Sequence, residues 1–150
     1  MELIYKKGLA KAIGVCNFSA NQIQDLMEHS VIVPAVNQVE VHPHHSQLDL
    51  LDFADQHGIQ LEAWRPIMMG EVLKIPELVE IGNHHAKTPV QVSLRWLVQR
   101  GVAVIPKSVT PKRIQENIDI FDFELSPSEM KIIEGLNQNR NLGEDLSHIF

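Results

Sequence analysis

Cysteine, aromatic rings, positive charge and long apolar runs are all scarce in this chain. A lone cysteine, Cys16, rules out an internal disulfide and fits a reducing, cytoplasmic setting. No apolar run approaches the ~20 residues that a membrane-spanning helix needs, and the opening MELIYKKG has no signal-peptide core. Lys and Arg total 13 against 19 Asp and Glu, and the net charge of -6 argues against general affinity for nucleic acid or an anionic membrane. What the chain does have is 44% hydrophobic residues over 150 positions, enough for one core, so a single domain over 1–150 is expected.

Because cations are few, their grouping in GVAVIPKSVTPKRIQEN carries information. Residues 102–105 read as a short buried strand between Gly101 and Pro106. Lys107 and Ser108 follow, then Thr110 as an N-cap with Pro111 at the first helical position, and Lys112 and Arg113 in the next turn. Positive charge, a hydroxyl and a helix N-terminus at a strand end are what a phosphate requires. A solvated surface turn is the alternative reading of the same residues.

Upstream, Lys6, Lys7 and Gly8 read as the end of a helix. Residues 12–16 form the first strand, and Ser19 with Gln22 makes a capping box for a helix. The second strand, 35–42, places Gln38, Glu40 and His42 on one face and Asn37, Val39 and Val41 on the other. Ser46 is read as the cap of a helix ending at His57 and Gly58. A third strand, 59–64, stops at Arg65 and Pro66. Two helices follow, from Pro76 to His84 and His85 and from the Thr88–Gln91 capping box to Gly101. Past the fourth strand come a helix from Pro111 and a helix from the Ser126–Glu129 capping box, then a polar tail, 139–150, read as a surface segment.

Strands alternating with helices predict a parallel α/β sheet with right-handed crossovers. Asn17, Gln38, Trp64, Arg65, Lys107 and Ser108 all fall at or near the C-terminal ends of strands, the ligand face of parallel sheets. Pattern alone leaves an open doubly wound sheet and half a barrel as equal alternatives.

The segments AKAIGVCNFS, PAVNQVEVHP, LEAWRP, QVSLRWLVQRGVAVIPKS and RIQENIDIFDFELSPSEM, in this order, resemble the aldo-keto reductase family. The resemblance implies a parallel half-barrel of four strands, equivalent to strands five to eight of a TIM-type barrel, in a chain that begins within the helix before the fifth. It implies NADP(H) as cofactor and a small aldehyde or ketone as substrate. Asn17 and Gln38 would hold the nicotinamide carboxamide, with Cys16 where the family usually has serine. Trp64 would stack under the nicotinamide ring. Arg65, at a position commonly serine, and Ile67 would lie by the pyrophosphate. Lys107, Ser108 and Arg113 match the residues that take the 2′-phosphate, and Glu116 and Asn117 match those around the adenine. The family's acid tyrosine and its aspartate, lysine and histidine partners belong to the other half. No segment here matches them, and the one tyrosine, Tyr5, precedes the first strand. Weak or absent turnover by this chain alone follows.

Competing signals point elsewhere. His42, His44 and His45, with His84 and His85, raise a metal site, but a proline interrupts them and no acid or thiol recurs at suitable spacing. Cys16 reads as a buried inert thiol and Glu40 as a paired interior carboxylate; Met68 and Met69 read as gap fillers and Trp96 as core. Four strands cannot close a barrel, so both outer strands are expected to be edges. A homodimer or a partner half-barrel would cover them.

Overall fold

Each βα unit is built by local sequence rules. In the computed structural model, which describes residues 1–143, the three predicted capping boxes all form: Ser19 with Gln22, Thr88 with Gln91, and Ser126 with Glu129. Each Ser or Thr oxygen accepts the third N–H of its helix while the Gln or Glu reaches back to the cap's own N–H, satisfying two otherwise orphaned donors. The elements are α1 (Glu2–Lys6), β1 (Val15–Cys16), α2 (Ala20–His29), β2 (Val36–Glu40), α3 (Leu48–Gln56) and β3 (Gln60–Trp64). After a 3-10 segment (Met68–Lys74) come α4 (Pro76–His85), α5 (Pro89–Gln99), β4 (Ala103–Val104), α6 (Pro111–Ile118) and α7 (Pro127–Glu134).

The strands form one open sheet in the order β1-β2-β3-β4, every pairing parallel. Register places Cys16 beside Gln38, Gln38 beside Glu62, and Glu40 beside Trp64. One face of β2 carries Asn37 and Val39, followed by Val41 just past the strand, into the buried core with Leu61, Ala63, Trp96 and Leu97. Each fully buried leucine or isoleucine there contributes about 1.5–3 kcal/mol. The other face of β2 carries Gln38 and Glu40, so the predicted polar face exists. Gly14 permits the close approach of β1 to β2: a Cβ there would lie 2.5 Å from the Val36 carbonyl oxygen.

Several expectations are corrected. The outer strands have two residues each, not the predicted 12–16 and 102–105, because a strand with one neighbour is held by few ladder bonds. Ser46 does not cap α3; Gln47 takes the cap position in a left-handed conformation (φ 52°) and no side chain caps the helix. Thr110 is at the N-cap of α6 but its side chain makes no capping bond. The Met68–Met69 stretch is a 3-10 segment with Met69 and Gly70 at positive φ. Met68 is buried and Met69 exposed, so only one fills a gap. The start of the predicted surface tail is docked, as described below, while 144–150 lie outside the described residues.

Candidate functional site

The C-terminal ends of the four strands share one edge of the sheet, so the loops leaving them start from a common platform. Asn17 follows β1 with φ 59°, a left-handed conformation that asparagine tolerates better than most residues. Its N–H donates to the Gln38 carbonyl at 2.9 Å, tying the end of β1 to β2. The Trp64 indole N–H, from the end of β3, donates to Asn17 Oδ1 at 3.0 Å. Three strands thus meet through Asn17, Gln38 and Trp64.

These bonds determine which amide atoms remain available. Indole is a donor only, so it holds Asn17 with its oxygen inward, and among the described residues the Asn17 NH₂ has no acceptor. Gln38 Nε2 donates to Glu62 Oε1 at 2.6 Å, leaving the Gln38 amide oxygen as an acceptor. Glu62 is a positioning partner that sequence reasoning missed; its signal was a carboxylate between Leu61 and Ala63, facing away from the core in register with Gln38.

Arg65 also has positive φ, and its guanidinium lies 5.0 Å from the Trp64 ring centroid, a cation–π distance. Its Nη1 is buried and has no hydrogen-bond partner among the described residues. Ile67 packs against the core edge. Cys16 is exposed, not buried as expected, because β1 has a neighbour on one side only. Partial burial and then the Glu62 charge push its thiol pKa up, the opposite of what a nucleophile needs.

Lys107 is exposed beyond β4, and Arg113 is exposed in the first turn of α6. Ser108 Oγ accepts from the Thr110 N–H at 3.3 Å, closing the turn between them. Lys112, the third cation of the stretch, lies 3.8 Å from Glu116. Glu116 and Asn117 are half-buried on α6.

Glu40 occupies the neighbouring polar position on β2. Its carboxylate accepts from His42 Nε2 at 3.0 Å, from the Leu142 N–H at 2.8 Å and from the Gly143 N–H at 2.9 Å. The paired interior carboxylate is therefore present, and its partners include a segment read as surface tail. A Cβ on Gly143 would collide with Trp64 and Glu40, so only glycine fits this approach. That glycine in a polar tail was the available signal. Tyr5, by contrast, is in α1 upstream of β1. Among the described residues, no group of three or more His, Cys, Asp and Glu is arranged to hold a metal.

Comparison with known proteins decides the family. The model of the aldo/keto reductase family matches residues 1–138. This chain belongs to the aldo/keto reductase family. It is 47% identical over 143 residues to the glyoxal reductase of Bacillus subtilis, covering 95% of this chain and 52% of that protein. It is 40% identical over 144 residues to the methylglyoxal reductase DkgA of Escherichia coli, with 95% and 52% covered. An aldo-keto reductase of Bombyx mori solved in complex with NADP superposes with TM-score 0.91 at 35% identity, over 98% of this chain and 51% of that one. The chain spans about half the length of the curated relatives it matches, and its four parallel strands are the half-barrel of an aldo/keto reductase TIM-type fold. No helix among the described residues is long and apolar enough to cross a membrane.

Proposed function

We propose that this aldo/keto reductase chain is the cofactor-holding half of an NADPH-dependent oxidoreductase that converts small aldehydes or ketones to alcohols. The observation that carries the reading is the pair of oriented amides beside Trp64. A nicotinamide carboxamide presents one carbonyl and one amino group; the free Asn17 NH₂ and the free Gln38 oxygen are their complements. Cys16 stands next to them as a weak donor, and Trp64 offers a flat surface for ring stacking.

The anionic end of the cofactor also finds suitable groups. The unpartnered Arg65 Nη1, with Ile67 beside it, suits the pyrophosphate. Lys107, Ser108 and Arg113 suit a 2′-phosphate, and Glu116 and Asn117 the adenine edge. When bound, NADPH supplies the hydride. The residues of this chain hold and orient it and keep the Trp64 side of the ring apolar. A reduced carbonyl also needs a proton, and the one phenol available, Tyr5, precedes the sheet, so the proton donor lies outside this half. The names of the relatives that reduce glyoxal and methylglyoxal support a small carbonyl substrate. A cytoplasmic setting and a single domain complete the reading.

Titration with NADPH, read by protein fluorescence with Trp64→Phe as control, tests the binding claim. Lys107→Ala is expected to weaken NADPH binding about tenfold or more and to leave NADH binding nearly unchanged. Equal losses for both cofactors would refute the 2′-phosphate role. A second reading, a non-catalytic NADP(H)-binding half that pairs with another copy or with a partner half-barrel, draws on the two-residue outer strands. Brisk NADPH oxidation with a reactive aldehyde would exclude it.

A further inference from the structure

We infer that Glu40 is a positioning residue for Trp64: through the backbone of Leu142 and Gly143 it holds the indole ring in the orientation on which a nicotinamide would stack. That role rests on the cofactor reading of Trp64 and identifies what keeps the ring in place.

Trp64 is restrained at two points. Its indole N–H donates to Asn17 Oδ1 at 3.0 Å, which anchors the five-membered ring. The torsion that turns an indole about its Cβ–Cγ bond has a broad well, so one hydrogen bond leaves the ring plane free to rock. The second restraint is at the tip of the six-membered ring. There the Gly143 backbone approaches Cη2 so closely that a Cβ would collide with it. The indole is thus held between Asn17, after β1, and Gly143, in the segment following α7.

Glu40 fixes that segment. It is the register partner of Trp64 on the adjacent strand and is 3% exposed. Its Oε1 accepts from the Leu142 N–H at 2.8 Å and its Oε2 from the Gly143 N–H at 2.9 Å. Two successive amides on the two oxygens of one planar group set the orientation of the peptide between them, which a single bond would not. His42 Nε2, 3.0 Å from Oε1, steadies the carboxylate in turn. The Gly143 N–H is shared with Asn141 Oδ1 at 3.0 Å, but that bond closes a turn within the segment and does not reach the sheet.

Upstream the segment is secured independently of Glu40. The Gln138 and Arg140 N–H groups donate to the His44 carbonyl at 3.1 and 3.0 Å, and Arg140 Nη1 donates to Glu71 Oε2 at 2.9 Å. Losing the Glu40 bonds therefore releases the residues against Trp64 and leaves the rest docked. Burying a carboxylate is costly, and an apolar side chain at this position would avoid that cost. What an apolar side chain cannot do is aim two consecutive amides, and so the glycine between them and the ring.

The test is NMR relaxation of the full chain, read at the indole N–H groups of its two tryptophans. Trp96 is fully buried and serves as the internal reference. In the unsubstituted chain both rings are expected to be rigid on the nanosecond scale. Glu40→Gln sets an NH₂ group against a backbone N–H; Gly143→Ala lifts the segment off the ring with Glu40 still in place. Both substitutions are expected to lower the order parameter of the Trp64 indole and leave that of Trp96 unchanged. NADPH binding should weaken about three- to tenfold in each, the cost of immobilising one side chain on binding. If Glu40→Gln folds poorly, Gly143→Ala carries the test alone. A Trp64 ring already mobile in the unsubstituted chain, a ring equally rigid in Gly143→Ala, or unchanged NADPH affinity once the ring is loosened would overturn the proposal. A ring that both substitutions loosen, in a chain that takes no NADPH at all, would refute the cofactor reading and leave Glu40 as the residue that fixes Trp64.

Discussion

His42, beside Glu40, is a buried imidazole whose one hydrogen bond among the described residues is from Nε2 to that carboxylate. Burial lowers its pKa from 6.5 to about 4, against the raising effect of Glu40. The unfolded chain therefore binds a proton below about pH 6.5 that the folded chain refuses until about pH 4. Stability should fall through that window, by up to about 1.4 kcal/mol per pH unit, and level off below it. Burial also lowers His44 and His45, which adds a slope of the same sign. His42→Gln keeps an N–H for Glu40 and cannot titrate, so urea midpoints between pH 7 and 4 should vary less in the variant. An unchanged slope would remove His42 as the cause. At this scale the placement of the candidate site was legible, since Asn17, Gln38 and Trp64 were each named from sequence and come together at the strand ends. Their mutual bonds were not, because whether Trp64 reaches Asn17 depends on how far one strand is staggered against the next. Cys16 was misjudged for a related reason: residue type reports typical burial, and the exposure of β1 is set by the absence of a neighbouring strand among the described residues.

Among the secondary-structure elements, helix starts written as capping boxes were readable, because donor and acceptor lie three residues apart and no distant contact is needed. Ser46 shows the limit. Its type and place suggested a cap, yet the chain reverses once more at Gln47, held by a hydrogen bond from Gln47 Nε2 to the Glu40 carbonyl at 3.4 Å and by contact with His45 Nε2 at 2.9 Å. Such a turn is a tertiary decision, and so is the 3-10 segment after β3. The end of α4 offers a clean test of local strain. Ala86 occupies the left-handed position that terminates the helix (φ 54°), a site glycine usually takes. A Cβ there costs roughly 1 kcal/mol, partly recovered in the alanine chain through its smaller unfolded-state entropy. Ala86→Gly should raise the urea midpoint modestly with no change in denaturant slope. A lower midpoint would show that the exposed Ala86 methyl contributes more by packing than its backbone loses.

For the molecule as a whole, the decisive feature is that, among the described residues, no strand pairs with the outer side of β1 or of β4. Among the described residues β1 and β4 each have one neighbouring strand, and neither α1 nor α6 has a fully buried residue. On α6, Ile114 and Ile118 are one helical turn apart and 53% and 63% exposed; on the β1 side Leu9 is 76% exposed. An amphipathic helix with an unfilled apolar face, next to a strand with unpaired N–H and C=O groups, is a surface shaped to meet another layer of the same architecture. The chain spans about half the length of the reductases it matches. In a solution of these 150 residues alone, that layer can come only from a second copy, or the surface stays wet. Sedimentation equilibrium should therefore show concentration-dependent self-association at micromolar levels. Ile114→Asp with Ile118→Asp should shift it toward monomer without lowering the unfolding midpoint, since neither side chain is buried in the monomer. A monomer at all accessible concentrations would mean that the exposed faces have no affinity for each other, and would leave a different half-barrel as the surface's complement.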